Sequence, residues 1–443
     1  MRNDNCYQNN FCLRRLRLRR IGLLVILPLI LISVLIAVGG FSQPASAQGK
    51  RVVVLGFDGM DFDLASRYID EGQLPNLAQL RDQGIYSPLW SSIPPESPVA
   101  WSTFVTGTNP GKTGIFDFLR RNPDNYFPEL NMTDVVETAE FMFDTVPVKA
   151  PVFRNNRRGS SLWEYAANGG VETVGVMMPM NMPPDQAAGS RVLSGLGVPD
   201  MRRTMGTYVY YVDDRDVARE HTGSTGGTEM GGRVIEVIRE GDAVETFLPG
   251  PYDPVHQGSG EELRASVAMT LNRSDDSVEF SILNKSPFKF LIFFGGAIIT
   301  LILSIAIWTI IGIVAKSGLK GFGIAAIIFV LALAVLGVIS RPTQSEFTTE
   351  VGMNQWSGWI PAKYLVTDWV GIEGFFKVFL LEVEPNFQMY VTPVNIDPRG
   401  TKGAALSFPV DFAPDLLNTY GNFKTYGWDS ETWALNENVI SED

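Results

Sequence analysis

Asp58 and Ser97 are the residues of this chain whose types and surroundings could do chemistry together. Asp58 closes the apolar run Val52–Phe57, β-branched at its front, which predicts a buried parallel strand ending at the polar turn Asp58-Gly59. Ligands of open α/β sheets collect beyond the carboxyl ends of the strands, so a carboxylate there is placed to hold a metal ion. About forty residues further on, Ser97 precedes Pro98. Proline has the φ of a first helical residue and lacks the amide hydrogen that such a position leaves unused, which predicts Ser97 as the N-cap of a helix running to about Val105. The positive end of that helix, and a cation nearby, would lower the pKa of the hydroxyl and favour its alkoxide. A carboxylate ligand and an activated serine are the parts of a metal-dependent hydrolase. Each residue also has a plainer reading as a helix cap, Asp58 for a helix starting near Phe62 and Ser97 for its own.

The segment Gly107-Thr-Asn-Pro-Gly111-Lys112-Thr113 imitates a phosphate-cradling loop but has three residues between its glycines where that motif needs four, and it follows a helix instead of a strand. Nucleotide binding through it is not expected.

These residues need a scaffold, and the chain of 443 residues is long enough for two or three domains with a sizeable core. Its formal charge of -12 argues against a nucleic-acid surface. Arg14, Arg15, Arg17, Arg19 and Arg20 precede the apolar run Ile21–Val38, either a secretory signal or a membrane anchor, and Ala45-Ser46-Ala47 offers a cleavage site. Either way, Arg51 onward is expected outside the cytoplasm. Cys6 and Cys12 both lie before the apolar run, so no disulfide is available to the exported part. Two further apolar runs, Phe290–Ala315 and Phe322–Ser340, are each long enough to cross a bilayer core of about 30 Å, with Lys316 and Lys320 in the short loop between them.

From Arg51 to about Pro199 strand and helix patterns alternate: a helix over Leu74–Gln83 closed by Gly84, a short helix over Leu162–Asn168 and a buried strand over Val171–Met178. Beyond Tyr208 short strands dominate, at Arg233–Arg239, Ser266–Leu271, Ser277–Ile282 and Phe376–Val383. The expected organisation is a signal peptide or anchor over 1–48, the first half of an α/β catalytic-type domain over 49–207, a β-rich accessory region over 208–289 and 341–443, and a transmembrane helical hairpin over 290–340.

The strand ending Phe57-Asp58-Gly59, the Leu74-Pro-Asn-Leu helix, and Ser97-Pro98 followed by Val105-Thr-Gly107-x-x-Pro110-x-x-x-Gly114-Ile115 together resemble the alkaline phosphatase superfamily, in its type I phosphodiesterase and nucleotide pyrophosphatase branch. The resemblance is close over about 60 residues and looser to Asp200. It implies an α/β fold with a mostly parallel sheet and flanking helices, two divalent metal ions, usually zinc, Asp58 as metal ligand, and Ser97 as both metal ligand and nucleophile attacking phosphorus in line. Thr113 stands where the family often has histidine, and Phe118 where nucleotide-cleaving members place a phosphate-holding asparagine, which makes nucleotide diesters a doubtful substrate. Two zinc ions would want about three histidines, whereas this chain has two, His221 and His256, both in loops without an acid at ligand spacing. From that shortage, the chain is expected to be the N-terminal portion of a longer protein.

The functional expectation is an exported, membrane-tethered phosphohydrolase acting on a phosphoester of lipid or cell-envelope origin. The alternative is a non-catalytic membrane protein that uses the same shell to bind a partner or a lipid headgroup. A sulfatase is disfavoured, because Ser97-Pro98-Val99-Ala100-Trp101 lacks the arginine of a sulfatase nucleophile motif.

Overall fold

In the computed structural model, the described residues are 51–144, 146–204, 206–214, 216, 232–255, 261–314, 318–400 and 405–427. The arginine-rich leader, Cys6, Cys12, His221, His256, Lys316 and the segment 428–443 lie outside them. The chain divides into two compact units, Met1–Met60 and Asp61–Asp443. The first contributes 51–60, an irregular segment with a turn at Asp58-Gly59.

This corrects the expectation of a buried strand over Val52–Phe57. Those residues form no strand, and Val52 is 84% and Val53 81% exposed. An apolar β-branched run favours extended backbone, but a strand exists only when a neighbour takes up its N–H and C=O groups.

In the second unit, the helix Phe62–Asp70 is capped by Asp61, whose Oδ1 accepts from the Leu64 amide at 2.8 Å. Asp61, and not Asp58, therefore fills the capping role considered for this helix. The helix Pro75–Gln83 ends as expected at Gly84, although this glycine is extended (φ -134°) and not left-handed. Ser161 and Glu164 form a reciprocal capping box at the start of the helix Leu162–Asn168. The strand Thr173–Met178 pairs in parallel with Ser190–Ser194.

The only other parallel pairing among the described strands joins Val209–Val212 to Arg233–Glu236, and the remaining ladders are antiparallel. The fold is mixed α/β with several sheets, and among the described residues the expected mostly parallel sheet is reduced to these pairs. Two short antiparallel ribbons occupy part of the predicted α/β stretch, pairing Thr133–Glu137 with Val152–Asn155 and Glu140–Met142 with Val146–Lys149.

The β-rich part follows its period-two pattern closely. Along Glu262–Asn272, Ala265, Val267, Met269 and Leu271 are buried while the intervening residues face out, the alternation of a half-covered antiparallel sheet. They join Phe280, Ile282, Phe376, Val378, Leu380 and Val391 in the largest apolar core.

The two long helices, Phe290–Val314 and Gly318–Ile339, are apolar all round and almost unburied, and both are long and apolar enough to cross a membrane. They leave from a β-hairpin. Ser277–Ser286 and Thr343–Gly352 pair residue for residue from Ser277↔Gly352 to Ser286↔Thr343, so the helices emerge where a tight turn would otherwise close the ladder.

Candidate active site

Ser97 begins the helix Ser97–Thr106, which stops at Gly107 in the left-handed conformation (φ 63°). The N-cap is Glu96, one residue earlier than expected; its carbonyl accepts from the amides of Val99 (3.0 Å) and Ala100 (2.8 Å), which places Ser97 in the first turn. Pro98 and Val99 are buried while Ser97 is half-buried, so the residue next to the anchored face keeps access to solvent. Two apolar clusters fix this helix. Val99 packs with Ile115, Met132 and Met180, and Val105 with Trp163 and Val192. The outcome is a helix packed at both ends that carries the Ser97 hydroxyl in its first turn, at the positive end of the helix dipole.

Asp58 is exposed in the turn at the end of the first unit, and Gly59 takes φ 64°. Asp58 and Ser97 thus belong to different compact units.

Phe118 packs against the Val99 cluster, and Thr113 is fully buried, its hydroxyl donating to the Pro110 carbonyl at 3.3 Å. Both positions at which the chain departs from the resemblance therefore serve packing. The stretch Gly107–Thr113 joins the Ser97 helix to the single-turn helix Pro110–Thr113, and no strand leads into it.

Carboxylate and hydroxyl oxygens are suited to a divalent cation, but a zinc site takes three or four protein ligands. Among the described residues no group of three His, Cys, Asp or Glu side chains is arranged to hold a metal ion. The described residues do not complete the metal set that the resemblance implies.

Sequence reading missed the polar networks that hold this region. Arg157, its side chain 1% exposed, donates to the carbonyls of Met180 (3.1 Å) and Gly159 (2.9 Å) and to the Asp185 carboxylate (2.6 Å). Asp185 also accepts from the Trp163 indole at 3.1 Å. Its partners lie 22 and 28 residues away in sequence, a separation with no local signature.

Asp134 is a second hub. It accepts from Arg120 at 2.8 and 2.9 Å, Arg154 at 2.8 Å and Asn156 at 2.9 Å. Burial alone would raise its pKa, but the hydrogen bonds from Asn156, Arg154 and Arg120 outweigh that and leave it below the ordinary carboxylate value. A lowered folded pKa stabilises above the unfolded value of about 3.9, and that contribution is lost as the pH falls through the folded one. Asp134→Asn is expected to cost about 1–3 kcal/mol at pH 7. Urea unfolding at pH 7 and again below pH 3 checks this; a wild-type advantage that does not shrink in acid would refute the assignment.

No curated protein and no solved structure matches the chain. Residues 52–227, an N-terminal portion that includes both Asp58 and Ser97, match the family Type I phosphodiesterase / nucleotide pyrophosphatase, which indicates phosphodiesterase or nucleotide pyrophosphatase activity in general.

Proposed function

We propose that this chain is an exported, membrane-tethered phosphoester hydrolase of the phosphodiesterase type, with Ser97 as nucleophile and Asp58 as a ligand of a divalent metal on which activity depends. The observation that carries the reading is the half-buried Ser97 in the first turn of a helix anchored by Val99 and Val105, inside the region of the family match. An alkaline-phosphatase-like shell over 49–207, a β-rich accessory region over 208–289 and 341–443, and a membrane hairpin over 290–340 form the corresponding domain scheme. The substrate is a phosphoester, for which the hairpin favours a lipid or cell-envelope source.

Hydrolysis of bis(p-nitrophenyl) phosphate by the detergent-purified full chain tests the catalytic part. Turnover should disappear on dialysis against a chelator and return with divalent metal. Absence of both turnover and bound metal would instead support a non-catalytic shell that binds a partner or lipid headgroup.

Membrane tethering has its own test. Since Ser286 pairs with Thr343, residues 287–342 can be replaced by Asn-Gly, which suits a two-residue hairpin turn. The shortened chain should keep its β-sheet circular dichroism. Expressed without the leader, it should move from the membrane to the soluble fraction; persistence in the membrane fraction would show that the hairpin is not the anchor.

A further inference from the structure

The second unit contains a cavity of about 820 Å³, within the roughly 300–1,000 Å³ range of small-molecule sites. One wall is the pair of β-ribbons, through Val135, Phe141, Val148 and Phe153; facing it are Pro287 and the turn around Trp369. Its lining is mostly apolar, and among the described residues no carboxylate is part of it.

The cavity abuts the root of the helical hairpin. Pro287 directly precedes Phe288, whose amide donates to the Asp368 carbonyl at 2.7 Å. The Trp369 ring, which lines the cavity, lies 5.3 Å from Phe288 and 6.2 Å from Phe294 in the first helical turns. An aromatic cluster at the end of a membrane helix is the composition of a headgroup-level belt. This inference rests on the reading of the hairpin as membrane-spanning and not on the chemistry of Ser97.

Among the described residues, Lys149 and Arg203 are the cations that line the cavity. Lys149 is paired with Glu137 at 2.9 Å and Glu140 at 3.4 Å. Arg203 has no carboxylate partner among the described residues, and its backbone is left-handed (φ 63°), an uncommon conformation for a residue with a side chain. The turn that holds it there is built on buried Asp200, whose backbone carbonyl accepts from the Arg203 amide at 3.0 Å and whose carboxylate accepts from the amides of Thr204 (2.9 Å) and Thr207 (3.1 Å). Strain of this kind persists where the surroundings over-determine it, and here it delivers an uncompensated positive charge to an apolar chamber.

We propose that this cavity binds an anionic phospholipid from the bilayer, with an acyl chain against Val135, Phe141, Phe153 and Trp369 and the headgroup phosphate paired with Arg203. The occupant is bound, not cleaved, and ties the ribbons to the membrane surface.

The test uses the full chain in phosphatidylcholine nanodiscs doped with phosphatidylglycerol that carries a diazirine in one acyl chain, alongside an identical phosphatidylcholine probe. After illumination, adducts are mapped by peptide mass spectrometry. Adducts are expected on peptides covering 130–153 and 366–372, with the phosphatidylglycerol probe labelling them roughly fivefold more than the phosphatidylcholine probe. Arg203→Gln should abolish that preference, and Arg203→Lys should retain part of it. Adducts confined to 290–339, or equal cavity labelling by the two probes in the wild type, would overturn the proposal without touching hydrolysis. Failure of the chain to enter nanodiscs would overturn the membrane reading of the hairpin and this inference with it.

Discussion

Ser97→Ala is expected to remove phosphodiester turnover by on the order of 10³- to 10⁶-fold, the scale of losing a covalent nucleophile. The argument for so large an effect is positional. The hydroxyl stands in the first turn of a helix held in place by the packing of Val99 and Val105, so the start of that helix is fixed by residues other than the serine. The same packing makes the variant a clean one. Alanine is a better helix former than serine, and the apolar anchors Val99 and Val105 are untouched, so the variant should remain folded. Ser102→Ala, on the buried face of the same helix, is the control and should turn over normally. Initial rates on an aryl phosphodiester, with melting curves for all three proteins, decide the matter; wild-type rates from Ser97→Ala would remove Ser97 from the mechanism.

The second large effect is structural. Asp185→Ala should destabilise the protein by about 3–5 kcal/mol, because it strands the Arg157 guanidinium in a site where its side chain is only 1% exposed. Burial raises the Asp185 pKa and Arg157 offsets only part of that, so the pair carries a real desolvation cost. Replacing both partners with apolar residues, as in Arg157→Met with Asp185→Leu, should therefore recover much of the loss. The Trp163 indole would still lack its acceptor, and the Gly159 and Met180 carbonyls their Arg157 donor, which keeps recovery incomplete. Urea unfolding of the single and double variants provides the comparison. If Asp185→Ala were as stable as the wild type, the network would be a bystander; if the double variant were no better than the single, the stranded charge would not be the cause.

Legibility in the sequence followed the range of the interactions involved. The strand Glu262–Asn272 was readable because alternation is a property of neighbouring residues, and the structure buries every second side chain along it. The hairpin helices were readable because their composition leaves no polar face. The helix at Ser97 was readable to within one residue because proline constrains its own φ wherever it stands. Val52–Phe57 has an equally strong local signal, yet it forms no strand, since pairing depends on a neighbour that local pattern cannot supply. The ribbons between Thr133 and Asn155 went unread for the converse reason: weak alternation and register shifts conceal strands that their partners nonetheless organise.

What the sequence alone determined is therefore the local chemistry: a serine at a helix start, a carboxylate beside a glycine turn, two bilayer-length apolar helices and the family of residues 52–227. Only the tertiary structure decided that the hairpin interrupts an in-register β-ladder, that Arg157 and Asp185 meet in the interior, and that Arg203 faces an apolar chamber at the root of the helices. Helical periodicity, proline geometry and hydrophobic length act between residues a few positions apart and survive in the one-dimensional text. Ion pairs and cavities are made by groups that become neighbours only when the chain closes loops of tens to hundreds of residues, and nothing in the spacing of those residues records the meeting.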